Sequence, residues 1–80
     1  MINIDNFDNR CKRLQQSKYE LSLRESQTLV MTVFNMANKE ISVELGVAES
    51  TIREFKMNAR LKTCCKSNEA MIFALGDYLR

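Results

Sequence analysis

Apolar residues recur every three or four positions in five stretches of the chain. This period is typical of helices that bury one face, so it predicts an all-α fold of four helices preceded by one extra N-terminal helix. The extra helix is expected within residues 4–17, with Asn3 or Asp5 as its cap. It either covers the small domain or contacts a partner or second subunit. Its apolar positions are Ile4, Phe7, Cys11 and Leu14.

The second predicted helix begins at a capping box. Ser22 and Glu25 stand three residues apart, so each side chain can accept a hydrogen bond from the backbone N–H of the other. The helix is expected to run to about Phe34, after a short linker at residues 17–20. Its buried face is predicted to consist of Leu29, Val30, Val33 and Phe34.

The central stretch, residues 38–62, predicts two helices joined by a tight turn. The first should span Asn38–Leu45, and Gly46 is expected to end it in the left-handed conformation. Ser42 supplies the small side chain required where two such helices cross. The second helix should cover residues 49–62, and its buried stripe is predicted to be Ile52, Phe55 and Ala59. This spacing fits either a DNA-binding helix-turn-helix or a plain helical hairpin.

The last predicted helix, from Asn68 to about Leu79, is more apolar than one buried face requires. Ser67 or Asn68 can cap it. A surplus of apolar surface on a terminal helix of a small domain indicates a subunit interface. The residues expected at that interface are Met71, Leu75 and Tyr78.

Positive charge is concentrated around the second central helix. Residues 48–66 hold five basic and two acidic residues, a net charge of +3, whereas residues 1–47 are neutral and residues 67–80 carry −1. Basic side chains neutralise phosphates and release counterions, so this distribution favours nucleic-acid binding over a merely solvated face.

Composition argues against an enzyme, a metal site and a membrane protein. The chain has no histidine, which removes the commonest general base. Cys11, Cys64 and Cys65 are an odd set with one adjacent pair, which suits neither a disulfide framework nor a zinc site. Reduced thiols are expected, with a redox switch at the adjacent pair as the lesser alternative. No secretory pattern or membrane-spanning run occurs, so a cytoplasmic, nucleoid-associated location is expected.

Several collinear motifs resemble the DNA-binding domain of the LuxR/GerE family of bacterial transcription regulators. They are Leu-Ser-Leu-Arg-Glu at 21–25, Asn-Lys-Glu-Ile-Ser at 38–42, Leu-Gly-Val at 45–47, Thr-Ile-Arg at 51–53, Asn-Ala at 58–59, and Lys62. The resemblance covers about two thirds of the chain. It divides the sequence into an N-terminal helix and linker at 1–20 and a LuxR-type domain with a C-terminal dimerisation helix at 21–80.

Several departures from the family pattern indicate a divergent member, among them Thr63-Cys64-Cys65 where the family has Leu-Gly-Val. Asn35 replaces a usual Gly and still suits a left-handed helix end. Ala37 and Ala48 stand where the family has capping Ser or Thr, and each missing cap should cost about 1 kcal/mol. Phe55 replaces a common His.

The resemblance implies a recognition helix at about 49–62 that enters the major groove. Base-reading roles then fall to Arg53, Glu54 and Met57, with Arg53 suited to guanine and Glu54 to cytosine. Phosphate contacts, which fix register without reading sequence, are implied for Lys39, Thr51, Lys56, Arg60 and Lys62.

The predicted function is a stand-alone, non-enzymatic transcription regulator that binds a two-fold symmetric DNA site as a homodimer. Only 20 residues precede the resemblance, so no sensor domain is expected. Expected partners are double-stranded DNA, a second copy and either another LuxR-type regulator or RNA polymerase, without membrane, cofactor, metal or small-molecule ligand. The alternative is an anti-activator that pairs with a LuxR-type regulator and does not read DNA. Met57 at a reading position favours that alternative.

Overall fold

The computed structural model describes residues 4–79, without the side chains of residues 77 and 79. Within this range the regular structure is entirely helical, which confirms the predicted all-α fold. The helices in chain order are α1 (Phe7–Gln15), α2 (Leu23–Val33), α3 (Asn38–Leu45), α4 (Glu49–Thr63) and α5 (Asn68–Leu79).

Helix α1 begins later than its apolar pattern predicts. Asn6, just before the helix, is left-handed with φ 56°, a conformation that a right-handed helix cannot include. The prediction that Asp5 caps the helix is wrong, because Asn6 occupies the N-cap position. The backbone carbonyl of Asp5 accepts a 2.8 Å hydrogen bond from Arg10 Nε. The other candidate cap, Asn3, lies outside the described residues. Cys11 and Leu14 are buried, so α1 packs on its own chain.

Helix α2 starts with the predicted capping box. The Ser22 N–H donates to Glu25 Oε1 at 2.9 Å, and the Glu25 N–H donates to Ser22 Oγ at 3.2 Å. Phe34 lies just past the end of the helix and is 41% exposed, so the prediction that it is buried is wrong. Its ring instead lies 5.0 Å from the guanidinium carbon of Arg10. Asn35 is left-handed, with φ 66°, as expected.

The turn between α3 and α4 forms as predicted. Gly46 has φ 67°, and the Val47 N–H donates to the Ser42 carbonyl at 3.1 Å, which closes the end of α3. Ser42 is buried at the crossing, and its hydroxyl donates to the Lys39 carbonyl at 2.7 Å. A short side chain that satisfies its own hydroxyl allows α3 and α4 to approach closely.

Two apolar clusters hold the helices together. The larger joins α1, α2, α4 and α5, and contains Cys11, Leu14, Leu21, Leu29, Val30, Ala59, Met71 and Leu75. The smaller joins α2, α3 and α4, and contains Met31, Ile41, Leu45 and Ile52, with Phe55 packed against it. Helix α4 contributes to both clusters, so its position is fixed relative to every other helix.

The apolar surplus of α5 is largely used inside the chain. Met71 and Leu75 have no exposed surface because they pack into the larger cluster, to which α1 also contributes. The prediction that these two side chains lie at a subunit interface is corrected accordingly. Tyr78 is half-buried, with its ring 6.0 Å from that of Tyr19. Among the described side chains of α5, Phe73 is the large apolar one that is exposed to solvent, at 86%.

Candidate nucleic-acid interface

The outer side of α4 carries the side chains predicted to read bases. Arg53, Glu54 and Met57 are all exposed, and Met57 exposes 47% of its surface. The opposite side of the helix is held in the core by Ile52 and Ala59. The three predicted side chains are therefore accessible to a partner that lies along α4.

Sequence reasoning missed one residue on this outer side. Leu61 is 68% exposed and follows Met57 by four positions, so the two side chains share one side of the helix. That spacing was a usable signal, because an apolar residue four positions beyond a candidate contact extends the same surface. The outer side of α4 is thus partly apolar.

A basic groove runs along one flank of α4. Its cationic side chains, Arg53, Lys56 and Arg60, are spaced three and four residues apart and therefore share one face. The first residues of α3 and α5, Asn38 and Asn68, complete the groove, and Met57 opens it onto the outer side of α4. The groove has a volume of about 350 Å³, and none of these six lining residues is acidic.

Lys56 is held in position within the basic groove. Its ammonium donates a hydrogen bond to Asn38 Oδ1, which ties the middle of α4 to the start of α3. Partial burial lowers the pKa of Lys56, because a desolvated ammonium loses hydration. An anion in the groove would restore the lost stabilisation of this charge.

Lys62 has a structural partner rather than a free ammonium. Its Nζ donates to Glu25 Oε1 at 2.7 Å, which joins the end of α4 to the start of α2. Burial raises the pKa of Glu25, but hydrogen bonds from Lys62 and the Ser22 N–H, with the Lys62 charge, outweigh it and lower the pKa overall. The predicted phosphate role of Lys62 is revised for this reason: phosphate would have to compete with a buried carboxylate.

The other two predicted phosphate ligands lie apart from the groove. Lys39 is exposed at the start of α3 and borders a different, shallow depression with Met36 and Val43. Thr51 is half-buried in the first turn of α4. The structure therefore brings together Lys56 and Arg60, adds Arg53 to them, and leaves Lys39 and Thr51 separate.

Comparison with known proteins identifies the family of the chain. A GerE family model, described as bacterial regulatory proteins of the luxR family, matches residues 19–74. The chain belongs to the luxR family of bacterial regulatory proteins. The match spans α2 to α4 and the first part of α5, and it leaves α1 outside. No curated protein and no solved structure gives a match to the chain.

Both helices of the helix-turn-helix in this luxR-family chain begin without a side-chain cap. Ala37 and Ala48 occupy the two N-cap positions, and the side chain of neither can accept a hydrogen bond from the first turn. At α3 only half of a capping box remains, in which the Ala37 N–H donates to Glu40 Oε1 at 3.0 Å. Exposed N–H groups give a helix N-terminus partial positive charge, so both starts add to the positive potential of this surface.

The thiols of the luxR-family chain differ in environment. Cys11 is buried, and burial together with the Asp8 charge raises its pKa to about 11. Cys64 is exposed at the end of α4 with φ 57°, and Cys65 is half-buried. Among the described residues, no three potential ligands from His, Cys, Asp and Glu are grouped to hold a metal ion. None of the described helices is long and apolar enough to cross a membrane.

Proposed function

We propose that this luxR-family protein is a transcription regulator that binds double-stranded DNA as a homodimer, with α4 in the major groove. The basic groove is the observation that carries the proposal. Three cations lie along one flank of the exposed helix, with no carboxylate among the residues that line the groove. Cations in this position can hold the phosphate backbone while the outer side of α4 faces base edges.

Direct readout falls to the outer side of α4. Glu54 can accept a hydrogen bond from a cytosine amino group, and Met57 can contact a thymine methyl. Lys56 and Arg60 lie beside them and are suited to phosphate, while Lys39 and Thr51 can reach the backbone from the starts of α3 and α4. Such a regulator would act on the nucleoid in the cytoplasm, where RNA polymerase is a natural second partner.

The homodimer is proposed to form through the exposed side of α5. Phe73 is 86% exposed and Ala70, three residues before it, is also exposed. A two-fold axis would bring Phe73 of each copy against the other α5, because a two-fold interface uses the same patch twice. Phe73→Glu should give a folded monomer in sedimentation, and a dimer that persists would exclude this surface.

Selection from random-sequence duplexes tests the regulator function. The proposal predicts enrichment of a two-fold symmetric site whose half-site spacing reflects the dimer. Phe73→Glu should reduce affinity for the symmetric site far more than affinity for a single half-site. Enrichment of no sequence, with no retained DNA at low salt, would contradict a DNA-reading role.

A protein-interaction role, as an anti-activator, is the second candidate. The observation that favours it is the apolar outer side of α4, where Met57 and Leu61 are 47% and 68% exposed. In that case the chain would bind a LuxR-type regulator through this surface. Leu61→Ala would weaken that complex, whereas the regulator function predicts that the protein binds DNA without any such partner.

A further inference from the structure

The basic groove has a composition suited to one kind of ligand. Three of its lining side chains are cations and two are amides, and all five can donate hydrogen bonds. They come from three separate helices, so the groove exists only in the folded chain. Polar donors with no carboxylate among the lining residues match an anion that offers several acceptor oxygens.

The position of Arg53 in the basic groove indicates a different role from the base-reading role that the sequence predicted. It precedes Lys56 by three positions and Arg60 by seven, so the three cations form one row on the flank of α4. Arg53 is exposed on α4 as Glu54 and Met57 are, but of these three only Arg53 is a cation that lines the groove. We propose that the basic groove is a phosphate-binding site and that Arg53 acts there as a phosphate ligand rather than as a reader of guanine.

The proposal rests on the proposed function in one respect: the phosphates are taken to be those of a DNA strand. A free polyphosphate anion has the same chemistry, and the tests separate the two sources. The guanidinium groups of Arg53 and Arg60 can each offer two parallel N–H groups to phosphate oxygens. The hydrogen bond from Lys56 to Asn38 holds the ammonium in place at the groove before any ligand arrives.

The first test uses inorganic pyrophosphate and the full-length protein. Backbone amide NMR signals of Asn38, Lys56 and Asn68 should shift in a saturable way with pyrophosphate, and not with chloride at equal ionic strength. Arg60→Gln should weaken this binding about tenfold, as the loss of one charged contact predicts. Arg24→Gln is the matched control, because it removes the same charge from an exposed site on α2. If the two variants weakened pyrophosphate binding equally, the binding would reflect general charge attraction, and the proposed phosphate site would be wrong.

The second test uses DNA and separates phosphate contact from base reading. Arg53→Gln should weaken selected and random duplexes by the same factor and leave the preferred sequence unchanged. The loss of affinity between about 50 and about 200 mM salt should be roughly three- to fourfold smaller than that of the wild type. Arg53→Lys should restore most of the binding. A preference lost at one base pair in both variants would show that Arg53 reads a base, and the proposal would be wrong.

The two tests also distinguish this inference from the proposed function. Saturable pyrophosphate shifts without DNA binding would support an anion site for a free polyphosphate and contradict the DNA regulator. Competition between pyrophosphate and DNA for the groove would support DNA phosphate as the source. DNA binding that is unaffected by Arg53→Gln and Arg60→Gln would preserve the regulator and overturn the groove as its phosphate site.

Discussion

Helices α2 and α3 begin with the same half of a capping box but differ in the other half. In both, a Glu at the third helical position accepts a hydrogen bond from the N-cap N–H, at 2.9 Å from Ser22 and 3.0 Å from Ala37. Ser22 Oγ in turn accepts a hydrogen bond from the Glu25 N–H, whereas the Ala37 side chain has no acceptor for the corresponding N–H of α3. The better-capped start belongs to the larger apolar cluster, and the poorly capped start borders the basic groove.

This difference separates helices that mainly form the core from helices that mainly form the candidate DNA-binding surface. Helices α1, α2 and α5 provide most of the larger core, and α2 has a fully formed start. Helices α3 and α4 supply five of the six residues that line the basic groove, and they leave N–H groups at both starts without a side-chain acceptor. We infer that the helix-turn-helix keeps donors available for an anion at some cost in stability.

The largest predicted effect compares a buried leucine of α1 with an exposed leucine of α4. Leu14 has no exposed surface, so Leu14→Ala should lower the free energy of unfolding by about 2–5 kcal/mol in urea denaturation. Leu61→Ala is the matched control and should change stability by less than about 0.5 kcal/mol. Similar losses in the two variants would mean that α1 is not an integral part of the core.

The ion pair between α2 and α4 gives the next largest effect. Lys62→Met should cost about 1–2 kcal/mol near neutral pH, because Glu25 is only 7% exposed and loses its charged partner. The pKa of Glu25 is lower in the folded chain than in the unfolded chain. The ionised carboxylate therefore stabilises the fold fully at pH values above the unfolded-state pKa, and this contribution is lost as the pH falls through the folded-state pKa. Thermal or urea unfolding from neutral pH to about pH 3 should show the wild type and variant converging. A constant difference would rule out the carboxylate as the cause.

Exchanging the two N-caps should produce effects of opposite sign. Ala37→Ser should stabilise the domain by about 1 kcal/mol, and Ser22→Ala should destabilise it by a similar amount. Ala37→Asp should also stabilise the fold, yet it should weaken DNA binding because its charge lies near the basic groove. DNA affinity and unfolding free energy measured on the same variants check this. If Ala37→Asp strengthened DNA binding, the start of α3 would not face an anion.

The smallest effect concerns the thiols and leaves stability unchanged. At about pH 8 a disulfide reagent should react quickly with exposed Cys64 and more slowly with Cys65. Cys11, with its pKa raised to about 11, should react only after unfolding. Mass spectrometry of partly labelled protein gives the order. Rapid labelling of Cys11 would indicate that α1 detaches from the core.

Local sequence signals predicted the features that depend on neighbours along the chain. The capping box at Ser22, the left-handed Gly46 and the bounds of α3 follow from residues within one or two turns. The pair between Glu25 and Lys62 joins residues 37 positions apart, and no local pattern distinguishes it from a cap plus a free lysine.

The prediction that Met71 and Leu75 lie at a subunit interface failed because it, too, depends on contacts between residues far apart in the chain. An apolar surplus counted along one helix cannot reveal that a preceding helix already covers part of it. Because α1 joins the larger cluster, Met71 and Leu75 are core residues and Phe73 is left exposed. The basic groove likewise needs the starts of α3 and α5 beside α4, which spacing within α4 alone does not provide.

The central claim is that the surface formed by α4 and the basic groove binds DNA. The test is to measure the affinity of the wild-type protein for a random-sequence duplex by fluorescence anisotropy at a series of salt concentrations. The account predicts a steep linear fall of log affinity with log salt, as expected when several phosphates are neutralised. Absence of binding at the lowest salt, or an affinity that does not change with salt, would contradict it.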